Sequence, residues 1–188
     1  MTQASEVVAF WEKAGPAAWY KQDDAFDQAI RDRFGETWQA AHDTGLREWA
    51  VDAPGALGLV ILLDQFPRNM FRNDPRAFAT DAAARDVSGQ MIANGWDRKI
   101  DGPLRQFAYM PFMHSEDIAH QEVSVDLFET RMDEGNNDLH ARAHREIIRR
   151  FGRFPYRNAA LGREMTAKEQ AFVDDGGYGH ILRALEGT

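Results

Sequence analysis

The segment over residues 56–66 constrains the fold more than any other part of the sequence. It carries aliphatic side chains at almost every position from Leu57 to Leu63, so a helix here is apolar around nearly its whole circumference. Such a helix is stable only where other elements cover all of its sides. Because the run is far shorter than the roughly 18 to 20 apolar residues that span a bilayer, we expect a helix at the centre of a folded domain and no transmembrane segment.

Helix caps, and not strand signals, divide the rest of the sequence. No run of alternating apolar and polar residues is long enough to indicate a sheet. The predicted boundaries are Asp74-Pro75 and Asn94-Gly95 for one segment, Asp101-Gly102-Pro103 for the start of the next, Ser115 and Gly135 for a long helix, and Thr166 with Glu169 as a capping box. We therefore predict an all-α protein that forms one compact domain over residues 1–188.

Several predicted helices are apolar on two sides, which indicates how they pack. In the helix that follows Ser115, Ile118 and Val125 fall on one stripe, and Val123 and Leu127 fall on another. Helices covered on two faces are typical of stacked antiparallel helical hairpins. No clear repeat of roughly 34 residues accompanies this pattern, so self-similarity alone does not establish a helical-repeat architecture.

Composition and charge exclude several classes of function. The 188 residues include no cysteine, which excludes disulfide scaffolds, thiolate metal sites, iron–sulfur clusters and thiol nucleophiles. The net charge of −8 argues against nucleic acid as a partner, because such binding needs a broad basic surface. The first residues lack the basic and apolar regions of a secretory signal, so we expect a cytoplasmic protein that binds neither nucleic acid nor membranes.

Two histidines lie on the apolar side of the helix predicted over residues 137–151. On a helical wheel, His140 and His144 fall among aliphatic positions, while the arginines of the segment occupy the opposite side. A buried imidazole needs a hydrogen-bond partner. We expect these partners on the preceding long helix, where Glu116 and His120 share a face just after His114.

Three roles are open to these histidines. Histidines four residues apart suit zinc or iron, but residues 140–144 lack the glutamate of the His-Glu-x-x-His motif, and we predict no metal site. Structural side chains with satisfied hydrogen bonds are the second role. The third is acid–base chemistry or ligand orientation, for which His114, Glu116 and His144 are the candidate catalytic residues.

Asp64 and Gln65 close the apolar central helix, so we expect at least one of them to be removed from water. Asp64 precedes Arg68 by four residues, which is the spacing of an intrahelical ion pair if the helix continues past Pro67. The pair is either a structural salt bridge or one side of a cleft in which Arg68 binds a carboxylate or phosphate.

One short motif occurs twice in the chain. Phe66-Pro67-Arg68-Asn69 and Phe154-Pro155-Tyr156-Arg157-Asn158 each follow an apolar helix. In both, the proline is expected to stop the regular helix and to leave an Arg-Asn pair beyond its C-terminal end. The two motifs are either similar helix terminations or a pair of arginines that converge on an anion.

Arginine is concentrated in one part of the sequence. Residues 137–163 carry seven arginines against Asp138 and Glu146, a local balance of +5 in an acidic chain. A positive segment of this size favours a small anionic ligand or an acidic partner over a duplex.

Eight groups of residues spread along the chain form a distinctive set: Phe10-Trp11, Trp19-Tyr20-Lys21 with Phe26-Asp27, Leu63-Asp64-Gln65-Phe66-Pro67-Arg68-Asn69, Phe78-Ala79-Thr80-Asp81, Pro111-Phe112-Met113-His114-Ser115-Glu116, His144-Arg145, Gly152-Arg153-Phe154-Pro155, and Arg157-Asn158. Together they resemble the bacterial domain of unknown function 924 family, over essentially the whole chain. The resemblance implies an all-α fold similar to the tetratricopeptide-like superhelix, and it implies no particular reaction. Two positions depart from the family pattern: Tyr156 stands where histidine is expected, and Met165 where serine is common.

We predict that the polar residues of these motifs surround one internal cleft, which binds a small anionic molecule or a short peptide. Beside the catalytic candidates, the predicted ligand-binding residues are Asp64, Gln65, Arg68, Asn69, Asp81, Arg145, Arg153, Arg157 and Asn158. The sequence indicates no particular cofactor or oligomeric state.

Two alternatives to this cleft stay open at this point. In the first, a scaffold of helical repeats holds an extended peptide, and some of the five tryptophans are solvent-facing anchors. In the second, the polar motifs form an internal hydrogen-bond network that specifies the fold, and the function lies elsewhere on the surface.

Overall fold

The computed structural model describes residues 2–132 and 135–187, and every regular element in these ranges is helical. The α-helices are α1 (Ala4–Ala14), α2 (Pro16–Trp19), α3 (Asp24–Thr44), α4 (Ala53–Val60), α5 (Phe66–Met70), α6 (Asp81–Ala93), α7 (Met110–Met113), α8 (Ile118–Arg131), α9 (Asn137–Phe151), α10 (Ala167–Asp174) and α11 (Gly177–Glu186). Short 3₁₀ helices cover Arg47–Trp49, Pro75–Phe78, Asp97–Lys99, Gly102–Ala108 and Pro155–Arg157, and a π-helical turn covers Ile61–Gln65. The prediction of an all-α fold is confirmed.

Two compact units make up the chain, Met1–Pro111 and Phe112–Thr188. In the first unit, α4 packs against α1 and α6, and α3 packs against α5. Leu59, Val60 and Ile61 have no exposed surface. The segment predicted to be central is therefore the buried core of this unit.

The core of the second unit forms around α9, which packs against α8 and α11. Its apolar side contributes to a cluster whose buried members are Ala143, Ile147, Ile148, Phe154 and Ile181. Because the arginines lie on the opposite side of α9, the helix separates core from solvent as its sequence pattern predicts.

A π-helical turn carries the chain through the polar end of the central helix. Pro67 has no N–H, so the Leu63 carbonyl lacks its usual partner four residues later. The amide of Phe66 bonds to the carbonyl of Ile61, and the hydroxyl of Thr80 donates to the Leu63 carbonyl at 2.5 Å. The helix continues as α5, so the prediction that the Arg-Asn pair lies beyond a helix end is wrong for this copy of the motif.

Two predicted helix starts are also wrong. Asp74 caps a 3₁₀ turn at Pro75–Phe78, and α6 begins only at Asp81. In the second unit, the Asp117 carboxylate accepts from the amide of Ala119 at 2.8 Å, so α8 begins after Asp117 and not at Ser115. A helix starts where a side chain accepts hydrogen bonds from the free backbone amides of its first turn. The residue whose side chain is close enough to such an amide therefore sets the boundary.

Other boundaries follow the sequence. The helix predicted over residues 137–151 is α9, and Gly152 closes it with a φ of 68°. The capping box at the start of α10 is formed, because the Thr166 hydroxyl accepts from the amide of Glu169 and the Glu169 carboxylate accepts from the amide of Thr166. A single domain and a superhelix of stacked hairpins stay predictions. None of the helices within residues 2–132 and 135–187 combines the length and the apolar character needed to cross a membrane.

Candidate functional site

The second unit brings two candidate catalytic histidines close together. His144 lies on α9, and His114 follows α7, with the centroids of the two rings 6.3 Å apart. Phe154, Arg157 and Tyr178 contact these histidines. We call these five residues the histidine cluster.

A hydrogen bond fixes the position of the proton on His144. Nδ1 lies 2.8 Å from the carbonyl oxygen of His140, one turn earlier on α9. A carbonyl can only accept, so Nδ1 carries the proton and Nε2 carries the lone pair of the neutral ring. Among the described residues, none forms a hydrogen bond with Nε2 of His144.

The surroundings of His144 keep its ring neutral. The residue keeps some exposed surface, but its ring is packed among other side chains. This burial lowers the pKa of His144 to about 3, and the nearby His114 imidazole and Arg157 guanidinium act in the same direction. Near neutral pH, Nε2 is therefore a hydrogen-bond acceptor.

Aromatic rings flank this imidazole. The rings of Phe154 and Tyr178 meet His144 edge-on, with centroid distances of 5.4 and 5.0 Å. The Tyr178 hydroxyl also lies 2.5 Å from Nδ1 of His140. Helix α11 thus supplies both an aromatic contact for one histidine and a hydrogen bond for the other.

The predicted partners of the two α9 histidines are wrong. The ring of His120 pairs with the hydroxyl of Ser115 at 2.9 Å, and Glu116 pairs elsewhere. The hydrogen bonds of His140 and His144 come from α11 and from the backbone of α9. A helical wheel shows only which side of a helix is buried, not which later helix covers that side.

Arg157 brings a positive charge to the histidine cluster. Its Nη2 donates to the carbonyl of His114 at 2.9 Å, and its guanidinium carbon lies 4.6 Å from the centroid of the Phe154 ring. The side chain of Arg157 is buried. A guanidinium removed from water interacts more strongly with an anion than one on an open surface.

Glu116 is held in an ion pair. Its two carboxylate oxygens accept from Nη1 and Nη2 of Arg163 at 2.7 and 2.9 Å, and Oε1 also accepts from the amide of Phe154 at 2.8 Å. Burial alone would raise the pKa of Glu116, but these hydrogen bonds and the charges of Arg163 and Arg157 lower it below its usual range. The carboxylate therefore stays ionised and fixes the position of the Phe154 backbone.

Arg153 and Asn158 stabilise the start of α10. Nε and Nη2 of Arg153 donate to the two carboxylate oxygens of Glu169 at 2.6 and 2.8 Å. Hydrogen bonds from Arg153 and Thr166 lower the pKa of Glu169 far below its usual range. Asn158 is buried and its amide nitrogen lies 3.4 Å from the sulfur of Met165. These contacts join the segment after α9 to the cap and the first turn of α10.

Carboxylates neutralise most of the positive charge of the arginine-rich segment. Most of these carboxylates lie outside the segment. Arg145 and Arg149 both pair with Glu122, at 2.8 and 2.9 Å. The pairs are Arg142 with Glu129, Arg145 and Arg149 with Glu122, Arg150 with Glu146, Arg153 with Glu169, and Arg163 with Glu116. The local balance of +5 therefore overstates the positive charge of this surface.

A second polar cluster, the π-turn cluster of Asp64, Gln65, Arg68 and Asp81, lies in the first unit. Nη1 of Arg68 lies 3.2 Å from Oδ1 of Asp64 and 2.9 Å from Oδ1 of Asp81. Nε2 of Gln65 donates to Oδ2 of Asp64 at 2.5 Å. Asp64 has no exposed surface, and its ion pair with Arg68 has the i,i+4 spacing that the sequence predicts. Two carboxylates already share the Arg68 guanidinium.

Asn69 belongs to a separate contact in the first unit. Its amide donates to Oδ1 of Asp27 at 2.7 Å, and Arg72 pairs with the same carboxylate. Asp27 and Asn69 are both buried. The contact joins α3 to α5.

A groove of about 870 Å³ opens on the first unit, where Gln3, Arg31, Glu36 and Trp49 contribute to its lining. None of the described residues that line it is a predicted site residue. Within the described ranges, no three His, Asp or Glu side chains form a group that could hold a metal ion.

The predicted site residues thus fall into separate groups. The second unit gathers His114, His144 and Arg157, and the first unit gathers the π-turn cluster. Arg145 pairs with Glu122, and the single cleft shared by all twelve residues stays a prediction. Tyr178 is missing from the predicted residues because it lies 38 residues from its partner His140, and no motif marks it.

The chain matches the family model described as a bacterial protein of unknown function, DUF924, over residues 7–177. It is also similar to the solved structure of a protein of unknown function from Agrobacterium tumefaciens, with 43% sequence identity and a TM-score of 0.87. That similarity covers 92% of this chain and 97% of the other. No curated protein matches the sequence.

Proposed function

The chain belongs to the DUF924 family of bacterial proteins of unknown function, and we propose from its geometry that the histidine cluster binds a small anionic ligand in the cytoplasm. His114, His144 and Arg157 are the proposed contact residues. Arg157 supplies the positive charge, and the imidazoles supply polar contacts beside it.

The observation that supports this proposal is the open lone pair of His144. Nδ1 of His144 is satisfied, whereas Nε2 has no partner among the described residues. Water or a ligand therefore has to meet Nε2, because a polar atom shut off without a hydrogen bond destabilises the folded state by about 1–3 kcal/mol. A purely structural role at this place would favour an apolar ring, so the open nitrogen favours a binding role.

Ligand binding is favoured over proton transfer at this cluster. With a pKa of about 3, roughly one His144 ring in ten thousand is protonated near pH 7, and a base this weak removes protons poorly. Glu116 is ionised and bound to Arg163, so it is not a ready acid either. Catalysis would need a bound anion that raises the pKa of His144.

The proposal assigns no direct ligand contact to several predicted residues. Arg68, Arg145 and Arg153 each pair with a carboxylate, and Asn69 bonds to a buried one. An anion would have to displace these partners. Their proposed role is to hold the helices in position, which agrees with the internal-network alternative for this part of the molecule.

The scaffold alternative finds less support in the tryptophans. Trp11, Trp19 and Trp38 are buried, and Trp49 and Trp96 are half-buried. All five lie in the described ranges, and none is an exposed anchor of the kind that a peptide groove uses.

A thermal-shift screen tests the proposal. Wild-type protein is heated with small phosphates, carboxylates and nucleotides, and a true ligand at about 100 times its Kd should raise Tm by about 5 °C or more. Arg157→Met should abolish that rise, because it removes the positive charge. Arg145→Met is the matched control and should keep the rise.

Folding of each variant is checked by circular dichroism. If Arg157→Met does not fold, the wild type still gives an answer through ¹⁵N-histidine NMR, where the ligand should move the signals of His114 and His144 and leave that of exposed His42 in place. No rise in Tm with any compound, or a rise that depends on Arg145 and not on Arg157, contradicts the proposal.

A further inference from the structure

The open Nε2 of His144 restricts the chemistry of the proposed anionic ligand further. We infer that the ligand carries a hydroxyl or N–H donor beside its anionic group, as hydroxycarboxylates and hydroxyalkyl phosphates do. The inference rests on the proposed function, since it concerns the same cluster.

The tautomer of His144 is fixed by its hydrogen bond. The acceptor for Nδ1–H is a backbone carbonyl within α9, which cannot become a donor. The proton of the neutral ring therefore stays on Nδ1. Whatever group meets Nε2 has to donate.

The groups around the His144 ring are neutral or positively charged. The polar groups that surround His144 are the imidazoles of His114 and His140, the guanidinium of Arg157 and the phenol of Tyr178. None of these is an anion near neutral pH, and the carboxylate of Glu116 is bound to Arg163. A second proton on the ring would add a cation beside a guanidinium, so Nε2 meets the ligand as an acceptor.

A ligand without a hydrogen-bond donor would bind less tightly at this ring. Such a ligand would exclude water from Nε2 and leave the lone pair buried and unpaired. Sites built to hydrogen-bond a hydroxyl discriminate strongly against the analogue that lacks it, for this reason. We therefore expect the hydroxylated member of a matched pair to bind about tenfold more tightly, or better.

Matched pairs of probes provide the experiment. Wild-type protein is titrated by calorimetry with malate and succinate, lactate and propionate, and glycerol 3-phosphate and propyl phosphate. Binding of a hydroxylated member that exceeds its partner by about tenfold or more supports the inference. Equal binding of both members overturns it and leaves the proposed anion site standing, whereas the absence of binding in all three pairs overturns both.

His144→Phe then tests whether Nε2 is the atom responsible. The substitution keeps a flat ring and removes the lone pair. Both members of each pair should then bind about equally well, while the anion still binds through Arg157. His42→Phe, an exposed histidine in the first unit, is the matched control and should keep the full preference. A preference that survives His144→Phe overturns the inference.

A measurement on the unmodified protein does not depend on the variant folding. ¹⁵N NMR of histidine-labelled protein near neutral pH distinguishes a protonated ring nitrogen from a bare one. His144 should show a proton on Nδ1 and none on Nε2. A proton on Nε2 would contradict the assigned direction of the hydrogen bond and with it the class of ligand.

Discussion

At the scale of single residues, the polar side chains in the interior differ in how completely they are paired. Arg68, Glu116 and Arg153 each make two or more hydrogen bonds to oppositely charged or backbone groups. His144 uses one ring nitrogen and leaves the other open. The residue type does not reveal whether a side chain has all of its hydrogen bonds. Only the geometry distinguishes a fully paired polar group from one that is open to a ligand.

The burial of the His144 ring predicts a specific pH dependence. Its pKa is about 3 in the folded state and close to the ordinary value of about 6.5 in the unfolded state, so the unfolded chain takes up the proton first as pH falls. The contribution of this ring to stability is therefore fully present above about pH 6.5 and is lost below it, by about 2 kcal/mol at about pH 5. Urea unfolding at several pH values measures this loss.

His144→Phe should flatten that pH dependence, because the unfolded state then has no extra proton to bind at this position. His42→Phe removes an exposed imidazole and should leave the slope unchanged. Parallel curves for wild type and His144→Phe between about pH 7 and pH 5 would show that the ring is not buried as a neutral base.

At the scale of elements, close backbone approach decides where α1 sits on α4. A Cβ at Gly58 would lie 2.6 Å from the carbonyl oxygen of Ala4 and 2.9 Å from its Cβ. Neither helix can accept a side chain here without moving. Glycine is required at position 58 because of the close approach of Ala4, and not because of the backbone dihedral angles of Gly58.

Gly58→Ala should therefore destabilise the protein, by about 1–3 kcal/mol, as overpacking of a closely packed contact does. Gly89 lies inside α6, and a Cβ there would have open space within 4 Å, so Gly89→Ala is the matched control. It should stabilise the protein by about 0.5–1 kcal/mol, because alanine has the higher helix propensity. Thermal denaturation of both variants compares the two, and equal effects would contradict the close contact.

At the scale of the whole molecule, charge is paired across the sequence and not along it. The acidic partners of the arginine-rich segment include Glu116, Glu122, Glu129 and Glu169, which all lie outside residues 137–163. A basic surface for polyanions is therefore not expected, even though the local sequence is strongly positive.

Heparin chromatography tests this charge pairing. Wild-type protein should pass through a heparin column at about 0.15 M salt, since most of the arginines in this segment are neutralised. The double variant Glu122→Gln with Glu129→Gln should elute later, because Arg145 and Arg149 lose their carboxylate and Arg142 loses its shorter contact. Retention of the wild type, or identical elution of both proteins, contradicts the pairing.

Local pattern determined much of the fold by itself. The bounds of α9, the capping box at Thr166 and the burial of residues 56–66 all follow from hydrophobic periodicity and cap chemistry, which act over a few neighbouring residues. The same local information predicted the i,i+4 pair of Asp64 and Arg68. The predicted helix end at Pro67 was wrong, because the Leu63 carbonyl accepts a hydrogen bond from the hydroxyl of Thr80, which lies outside this helix.

Only the tertiary structure decided which polar groups are satisfied. The partners of His140, Glu116 and Arg153 lie 38, 47 and 16 residues away, beyond the reach of any helical wheel. The sequence by itself determined that this protein is helical and that imidazoles lie on an apolar face. Three-dimensional packing assigned Tyr178 to one histidine and left Nε2 of the other open, because hydrogen-bond satisfaction depends on distances between side chains and not on their order in the chain.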